Sequence, residues 1–424
     1  MADASQKSIP QLRTKDTSGE RRTTWAELLN DLVFTVIIYQ LAQRLLNDVS
    51  GKSVAEFLLL YVPVWWLWNG ETHYATRFDN ERDTVHRFFG SVQLLGLIVL
   101  AATIPKALER DQSSVLYALT YSAVRVVLLI EYGRAYYYVP EARPYIRHIG
   151  AGFGVSVLIW VVSALVPQPY RFGLWGVALL IELSTPLTST GGKLHQDFPP
   201  DVRHLPERYG LFTLIVLGQA VTSTAQGLIQ TGFETATVLA TVLGGIVIIG
   251  LWWAYFDRLD DDAVRQVAEG RSGRLYALWL YLHLPLTVAL TVVGVGLTLV
   301  IRHVDNPVLP IIVERLFVGG VGGYFAAEAG ISLTTLRAGP PHPSFVRGVA
   351  VRFGLAGLLT GAGFLFSFNA LTLLGVAAVG IVGLIVIDQL GPDAPPSEER
   401  ITTANPAHAN KPLPDESGPA RASG

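Results

Sequence analysis

Eight acidic residues stand inside stretches that are otherwise apolar: Glu27, Asp31, Glu56, Glu71, Glu131, Glu182, Glu314 and Glu328. Four arginines share such stretches, namely Arg44, Arg125, Arg315 and Arg352. A charge in hydrocarbon costs roughly 2.5–3.5 kcal/mol on insertion scales, so each of these groups needs a partner or a task. Glu27, Glu56 and Glu314 lie near the ends of their stretches and reach water. The deeper acids, Asp31, Glu71, Glu131, Glu182 and Glu328, outnumber the deep arginines, because Arg44 and Arg315 are also near ends. Such an excess implies that some of the carboxyls hold a proton or a cation. Arg125 lies close to the centre of its stretch and stays charged. It requires a carboxylate or an anionic ligand, and Asp31, Glu131, Glu182 and Glu328 are the candidates. A purely structural ion pair satisfies the same requirement.

Local patterns sharpen some of these roles. Thr24 and Glu27 fit a capping box, Thr-x-x-Glu, which accounts for Glu27 without any function. Asp31 lies one turn further in, about 6 Å deeper at 1.5 Å per residue, and capping does not explain it. Thr35, Tyr39 and Gln43 continue its stripe at four-residue steps, and Gln219, Ser223, Gln226 and Gln230 form a second stripe. Polar stripes on membrane helices face protein or water, and hydrogen bonding between helices explains them as well as transport does. Trp65-Trp66 and Trp252-Trp253 precede two similar ends, Arg77-Phe78-Asp79 and Asp257-Arg258. These end charges are either solvated or matched ion pairs between helix ends. His73 and His283 are read as hydrogen-bonding packers, with proton binding as the alternative. Pro186, four residues after Glu182, is expected to kink its helix and free carbonyls. The spacing of His195, Asp197, Asp201 and His204 is no metal signature, and no metal or cofactor is expected. No catalytic motif of the zincin, nucleophile-elbow or phosphate-loop kind occurs, so no catalytic residue is assigned. With no cysteine, thiol and disulfide chemistry are excluded.

The elements that must hold these groups are membrane helices. Of 424 residues, 50% are hydrophobic and 16% charged, against about 25% charged in soluble domains. Mean hydropathy is +0.39. The apolar runs, such as 239–253 and 371–387, are continuous, whereas barrel strands alternate. About 20 such residues cross the hydrocarbon as a helix. The sequence therefore predicts an all-α polytopic membrane protein with about twelve transmembrane helices, at roughly 25–46, 54–75, 85–105, 113–135, 145–166, 171–189, 208–229, 235–256, 275–301, 308–335, 346–367 and 370–389. Residues 1–24 and 391–424 read as disordered tails. Val33-Phe34-Thr35 against Leu211-Phe212-Thr213, the two Trp pairs, and Phe153-Gly154 against Phe353-Gly354 recur in constant order. They predict two parallel six-helix halves, 25–189 and 208–390, joined by a linker at 190–207. About 23 Lys and Arg fall on the side of both termini and about five on the other, so both termini are expected in the cytoplasm. The net charge of −2, without basic patches, gives no reason to expect a nucleic-acid partner.

Glu20-Arg21-Arg22-Thr23-Thr24-Trp25-x-Glu27-Leu28-x-x-Asp31-Leu32-Val33-Phe34 resembles the opening motif of the bacterial low temperature requirement protein A family. Arg77-Phe78-Asp79, His204-Leu205-Pro206-Glu207-Arg208-Tyr209-Gly210 and Leu251-Trp252-Trp253-x-Tyr255-Phe256-Asp257-Arg258 look like the same family. The resemblance implies a polytopic protein of the bacterial inner membrane and supplies no catalytic residues. The chain departs from the family's pattern at Leu29 and Asn30, where aromatics are usual. It departs again at Gln219, where an acid is usual, which weakens a proton role there.

The leading expectation is a secondary transporter of a small solute, coupled to protons. Asp31, Arg125, Glu182, Gln219, Glu71, His73 and Glu328 are its expected solute or proton site. Glu27, Arg77, Asp79, His204, Glu207, Arg208, Asp257 and Arg258 are the expected cytoplasmic gate or ion pairs. The rivals are a structural or stress-related membrane protein, and a lipid-directed enzyme using His204 and Glu207. Alkaline phosphatase fused after Lys106 is expected to be active, and the same reporter fused after Pro406 inactive. The reverse pattern would invert the orientation.

Overall fold

The computed structural model describes residues 9–12, 24–78, 83–188, 193–194, 197–201, 204–257, 273–335 and 343–389, with backbone alone at 273, 274 and 343–345. Asp79, Arg258, His195 and most of both predicted tails lie outside the described residues. Twelve helices of fifteen residues or more carry the fold, with no strand among the described residues. They are α1 Trp25–Asn47, α2 Gly51–Phe78, α3 Thr84–Thr103, α4 Asp111–Tyr138, α5 Arg143–Ser163, α6 Tyr170–Ser184, α7 His204–Thr231, α8 Thr235–Phe256, α9 Gly273–Arg302, α10 Ile311–Thr334, α11 Pro343–Leu365 and α12 Ala370–Gln389.

Ten of the twelve are long and apolar enough to cross a membrane. The exceptions have physical reasons. α2 carries Asn69, Glu71, Thr72, His73, Thr76 and Arg77 in its second half, and these residues lie almost wholly inside protein. α6 has fifteen residues and gives way to a 3-10 turn at Thr185–Leu187. Pro186 therefore ends this helix rather than kinking it, since its missing N–H cannot continue the ladder. Outward faces are apolar, as at Leu95, Leu158, Leu180, Leu358 and Val379, which suits contact with lipid. This is a multi-pass helical membrane protein.

α9 is the central post, with 78% of its apolar stretch buried against 33% for α1. Small residues let its neighbours approach. A Cβ added at Gly294 would lie 2.8 Å from Ala220 Cα on α7, and one at Gly296 would lie 2.9 Å from Phe317 Cα on α10. In the run from Gly319 to Gly323, neighbours crowd Gly320 and Gly322 but not Gly319, and in the run from Gly375 to Gly383 they crowd Gly380 alone.

The neighbours follow a pattern. α1 packs on α2 and α3, α3 on α4, α4 on α5, α5 on α6, and α2 on α6. In the same order, α7 packs on α8 and α9, α9 on α10, α10 on α11, α11 on α12, and α8 on α12. Contacts of α7 and α9 with α1 and α2 join the two sets. Residues ahead of α7 and of α1 that read as linker and tail also dock. Asp201 N donates to Thr76 O, and Gln11 N donates to Phe78 O, so both segments close on the end of α2.

The glycine contacts give a test. Gly294→Leu is expected to cost about 1–3 kcal/mol through overpacking, read as a lower melting temperature of the purified protein. Gly319→Ala, with nothing within 4 Å, is expected to leave it unchanged or slightly raised.

Candidate functional site

The embedded charges gather into paired groups, and the first lies beside a cavity. At the end of the bundle where α1 begins, Asp31 meets Arg208 of α7. Arg208 Nη1 donates to Asp31 Oδ2 at 2.8 Å and Nη2 to Oδ1 at 2.9 Å, while Trp68 Nε1 of α2 donates to Oδ1 at 3.0 Å. Both charged side chains are 2% exposed. Trp68 is fixed by Phe212 and Tyr209, with ring centroids 4.2 and 5.0 Å away. The predicted capping box is present, with Thr24 Oγ1 accepting from Glu27 N and Glu27 Oε2 accepting from Thr24 N. Glu27 has a second use, because its Oε1 lies 3.3 Å from His204 Nε2. His204 Nδ1 lies 3.0 Å from Glu207 Oε2. The expected gate residues Glu27, His204, Glu207 and Arg208 are thus gathered around the starts of α1 and α7.

Deeper, Arg125 takes Glu182 from its four candidate partners. Arg125 Nη2 donates to Glu182 Oε2 at 2.8 Å and to Tyr121 Oη at 3.0 Å. Tyr121 Oη and Ser156 Oγ also donate to Glu182, at 2.8 and 2.7 Å. The guanidinium lies 4.7 Å from the Phe153 ring centre. In the later helices Arg352 bridges Glu328 through Nε and Asp388 through Nη2, the latter at 2.7 Å. Asp388 is a carboxylate outside the eight that the sequence singled out. Arg208 and Arg77 are likewise buried arginines that those four did not include, so the predicted deficit of positive charge is smaller than the sequence implied.

Other expected residues serve packing. Gln219 Nε2 donates to Ser223 Oγ at 2.5 Å, Gln226 Nε2 to Tyr39 Oη at 2.8 Å, and Gln43 Nε2 to Gln226 Oε1 at 3.1 Å. The two stripes therefore hold α1 against α7. His73 Nδ1 is 2.9 Å from Asn69 O, and His283 bonds Trp279 O and Tyr255 Oη. Arg77 donates to the carbonyls of Phe198 and His73 and lies over Tyr145, so it pins the segment before α7. Asp257 accepts from Gln389 at 3.3 Å. Trp65 and Trp66 stack inside the core, whereas Trp252 and Trp253 are about two-fifths exposed, so the two Trp pairs differ in role.

A cavity of about 480 Å³ opens between α1, α2, α3 and the start of α7. Glu27, Glu71, Thr72, His86, Gln93 and Arg208 give it its chemistry. Arg125, Glu182, Gln219 and Glu328 do not line it, and Asp31 sits behind Arg208. The opposite face of α2 carries Asn69, Gly70 and His73, which border a second chamber of about 50 Å³ walled by Tyr132, Tyr145, Tyr276 and Tyr281. That volume holds no more than a few waters.

Three helices bring Glu71, His86 and Glu131 together behind the larger cavity, each offering a ligating atom within 4.8 Å of the others. His86 Nδ1 lies 2.5 Å from Glu131 Oε1, and Gln93 Nε2 donates to Glu131 Oε2 at 3.3 Å. Nothing in the residue pattern marks His86, near the start of an apolar helix, or its meeting with Glu71 and Glu131. The helix N-cap Asp83, bonded to Arg134 at 2.9 Å, fixes where α3 starts and so where His86 stands.

Arg208→Leu is expected to destabilise the protein by about 3–5 kcal/mol, because it strands Asp31 in a buried site. Asp31→Asn combined with Arg208→Gln is expected to lose less than the two single changes summed, in a double-mutant cycle on thermal stability. Additive losses would mean that the pair is not coupled.

No solved structure gives a significant match to the chain. An uncharacterized protein of Rhizobium meliloti (strain 1021) is 25% identical over 300 residues, covering 68% of this chain and 72% of that one. The profile described as bacterial low temperature requirement A protein matches residues 22–386, nearly the whole helical region. The chain belongs to the low temperature requirement A family.

Proposed function

We propose that the protein is a secondary transporter of a small solute, with the α1–α2–α3–α7 cavity as its solute site and the proton as coupling ion. The cavity itself carries this reading. A chamber of about 480 Å³ whose border carries carboxylates, an imidazole and two arginines is costly to maintain in a membrane bundle that has no use for it. Two six-helix halves, 25–189 and 208–390 joined by 190–207, belong to the proposal, and the recurrence of six neighbour pairings supports them. The asymmetry of basic residues supports a cavity mouth on the cytoplasmic side of a bacterial inner membrane. No catalytic role is assigned. A second reading, a structural or stress-related membrane protein, draws on the buried ion pairs Asp31–Arg208 and Arg125–Glu182, which give each arginine a counter-charge inside the bundle.

The test begins with a thermal-shift screen of purified protein against a small-solute library. A stabilising solute is then followed into proteoliposomes. Uptake should accelerate under an imposed pH gradient and fall about tenfold or more in Glu71→Gln. Uptake indifferent to the gradient removes the proton from the reading. Stabilisation by no solute, with each charge substitution lowering the melting temperature, favours the structural role.

A further inference from the structure

We propose that Glu71, His86 and Glu131 form a binding site for a divalent transition-metal cation, reached through the cavity between α1, α2 and α3. The ligand chemistry comes first. One imidazole and two carboxylates are a mixed nitrogen–oxygen set, suited to zinc or manganese rather than to magnesium or calcium, which favour oxygen alone. The geometry follows. Zinc binds nitrogen and carboxylate oxygen at about 2.0–2.2 Å, which puts tetrahedral ligands about 3.3–3.6 Å apart. The three ligating atoms already lie within 4.8 Å of one another, so closing on a cation takes about 1 Å of side-chain movement at the longest edge. The 2.5 Å contact of His86 with Glu131 must open by a similar amount. All three residues stand on helices, which hold such a set more firmly than loops do.

The surroundings supply what a metal centre needs beyond its ligands. Gln93, 4% exposed, donates to Glu131 Oε2 and turns Oε1 toward His86. Fixing a carboxylate in this way orients it for metal. A separate observation also points to a ligand. Thr72 Oγ1, on a side chain 1% exposed, borders the cavity and has no hydrogen-bond partner among the described residues. The same is true of Arg208 Nε, on a residue 2% exposed. A hydroxyl and an N–H left unsatisfied beside a carboxylate–imidazole set fit a cation that arrives with water or an anion of its own. Arg208 does not repel the cation strongly, because both of its Nη atoms are engaged by Asp31. Arg87 also lines the cavity, and it is exposed.

The inference rests on the transport reading only for what the bound cation does next: in that reading the cation is the solute. Binding is tested apart from flux. Tag-free full-length protein in detergent, stripped with chelator, is titrated calorimetrically with Zn²⁺, Mn²⁺ and Mg²⁺ alone. One equivalent of Zn²⁺ should bind, and Mg²⁺ should bind about 100-fold or more weakly. Glu131→Gln and His86→Gln should each weaken Zn²⁺ about 100-fold, while His303→Gln, at the far end of α9, should not. Co²⁺ should give the visible absorption of a four- or five-coordinate centre, lost in His86→Gln. In the unaltered protein, Zn²⁺ should shield His86 from diethylpyrocarbonate, read by mass spectrometry, so that a variant that fails to fold does not stall the test. No saturable Zn²⁺ binding, or binding indifferent to His86 and Glu131, overturns the proposal. Binding as expected with no metal uptake in proteoliposomes keeps the site and removes transport.

Discussion

A carboxylate and a guanidinium buried face to face at one end of a membrane bundle set the terms for what surrounds them. Asp31 and Arg208 sit on helices far apart in sequence and close together in space, so their pairing fixes α1 against α7. Neither charge tolerates loss of the other, because the desolvation each has suffered is offset only by its partner. Trp68 adds the third donor and brings α2 into the same arrangement, with Tyr209 and Phe212 packed on its ring. The cavity opens directly beside this three-helix lock. Its wall is consequently tied across three helices where it meets Arg208.

Much of the helical layout was readable in advance because membrane helices announce themselves by length and apolarity. Twelve stretches were expected and twelve helices of fifteen residues or more are present among the described residues, most with boundaries within a few residues. The shortfalls follow local chemistry. α6 stops at Ser184 rather than near 189 because Pro186 cannot extend it. α2 runs on to Phe78 because its polar second half is wrapped by protein, and hydropathy undervalues such a segment. Arg125 was known to need a counter-charge, but four acids were equal in sequence. Tyr121 and Ser156 distinguish Glu182, and both depend on how α4, α5 and α6 come together.

The site was less legible than the fold. Glu27, His204 and Glu207 were expected in one set of gate or ion-pair residues and stand together at two helix starts, while Asp31, expected at the solute or proton site, stands beside them. Arg208 was expected in the same gate or ion-pair set, and its partner is Asp31, which was expected at the other site. His86 was passed over altogether. A histidine three residues into an apolar helix carries no signal by itself, and its meaning comes from Glu71 and Glu131 on two other helices. Pairwise contact across helices is the quantity that periodicity cannot report.

The polar half of α2 bears on how the protein is made. A segment that bears Asn69, Glu71, Thr72, His73, Thr76 and Arg77 gains little by partitioning into lipid, and in the finished bundle it meets almost none. It has to be received by helices rather than by the bilayer. α1 emerges before it and α3 after it, and both α1 and α3 are apolar enough to enter lipid unaided. Insertion then calls for an order: α2 is accommodated once other helices flank it, so its polar residues pass to protein rather than to lipid.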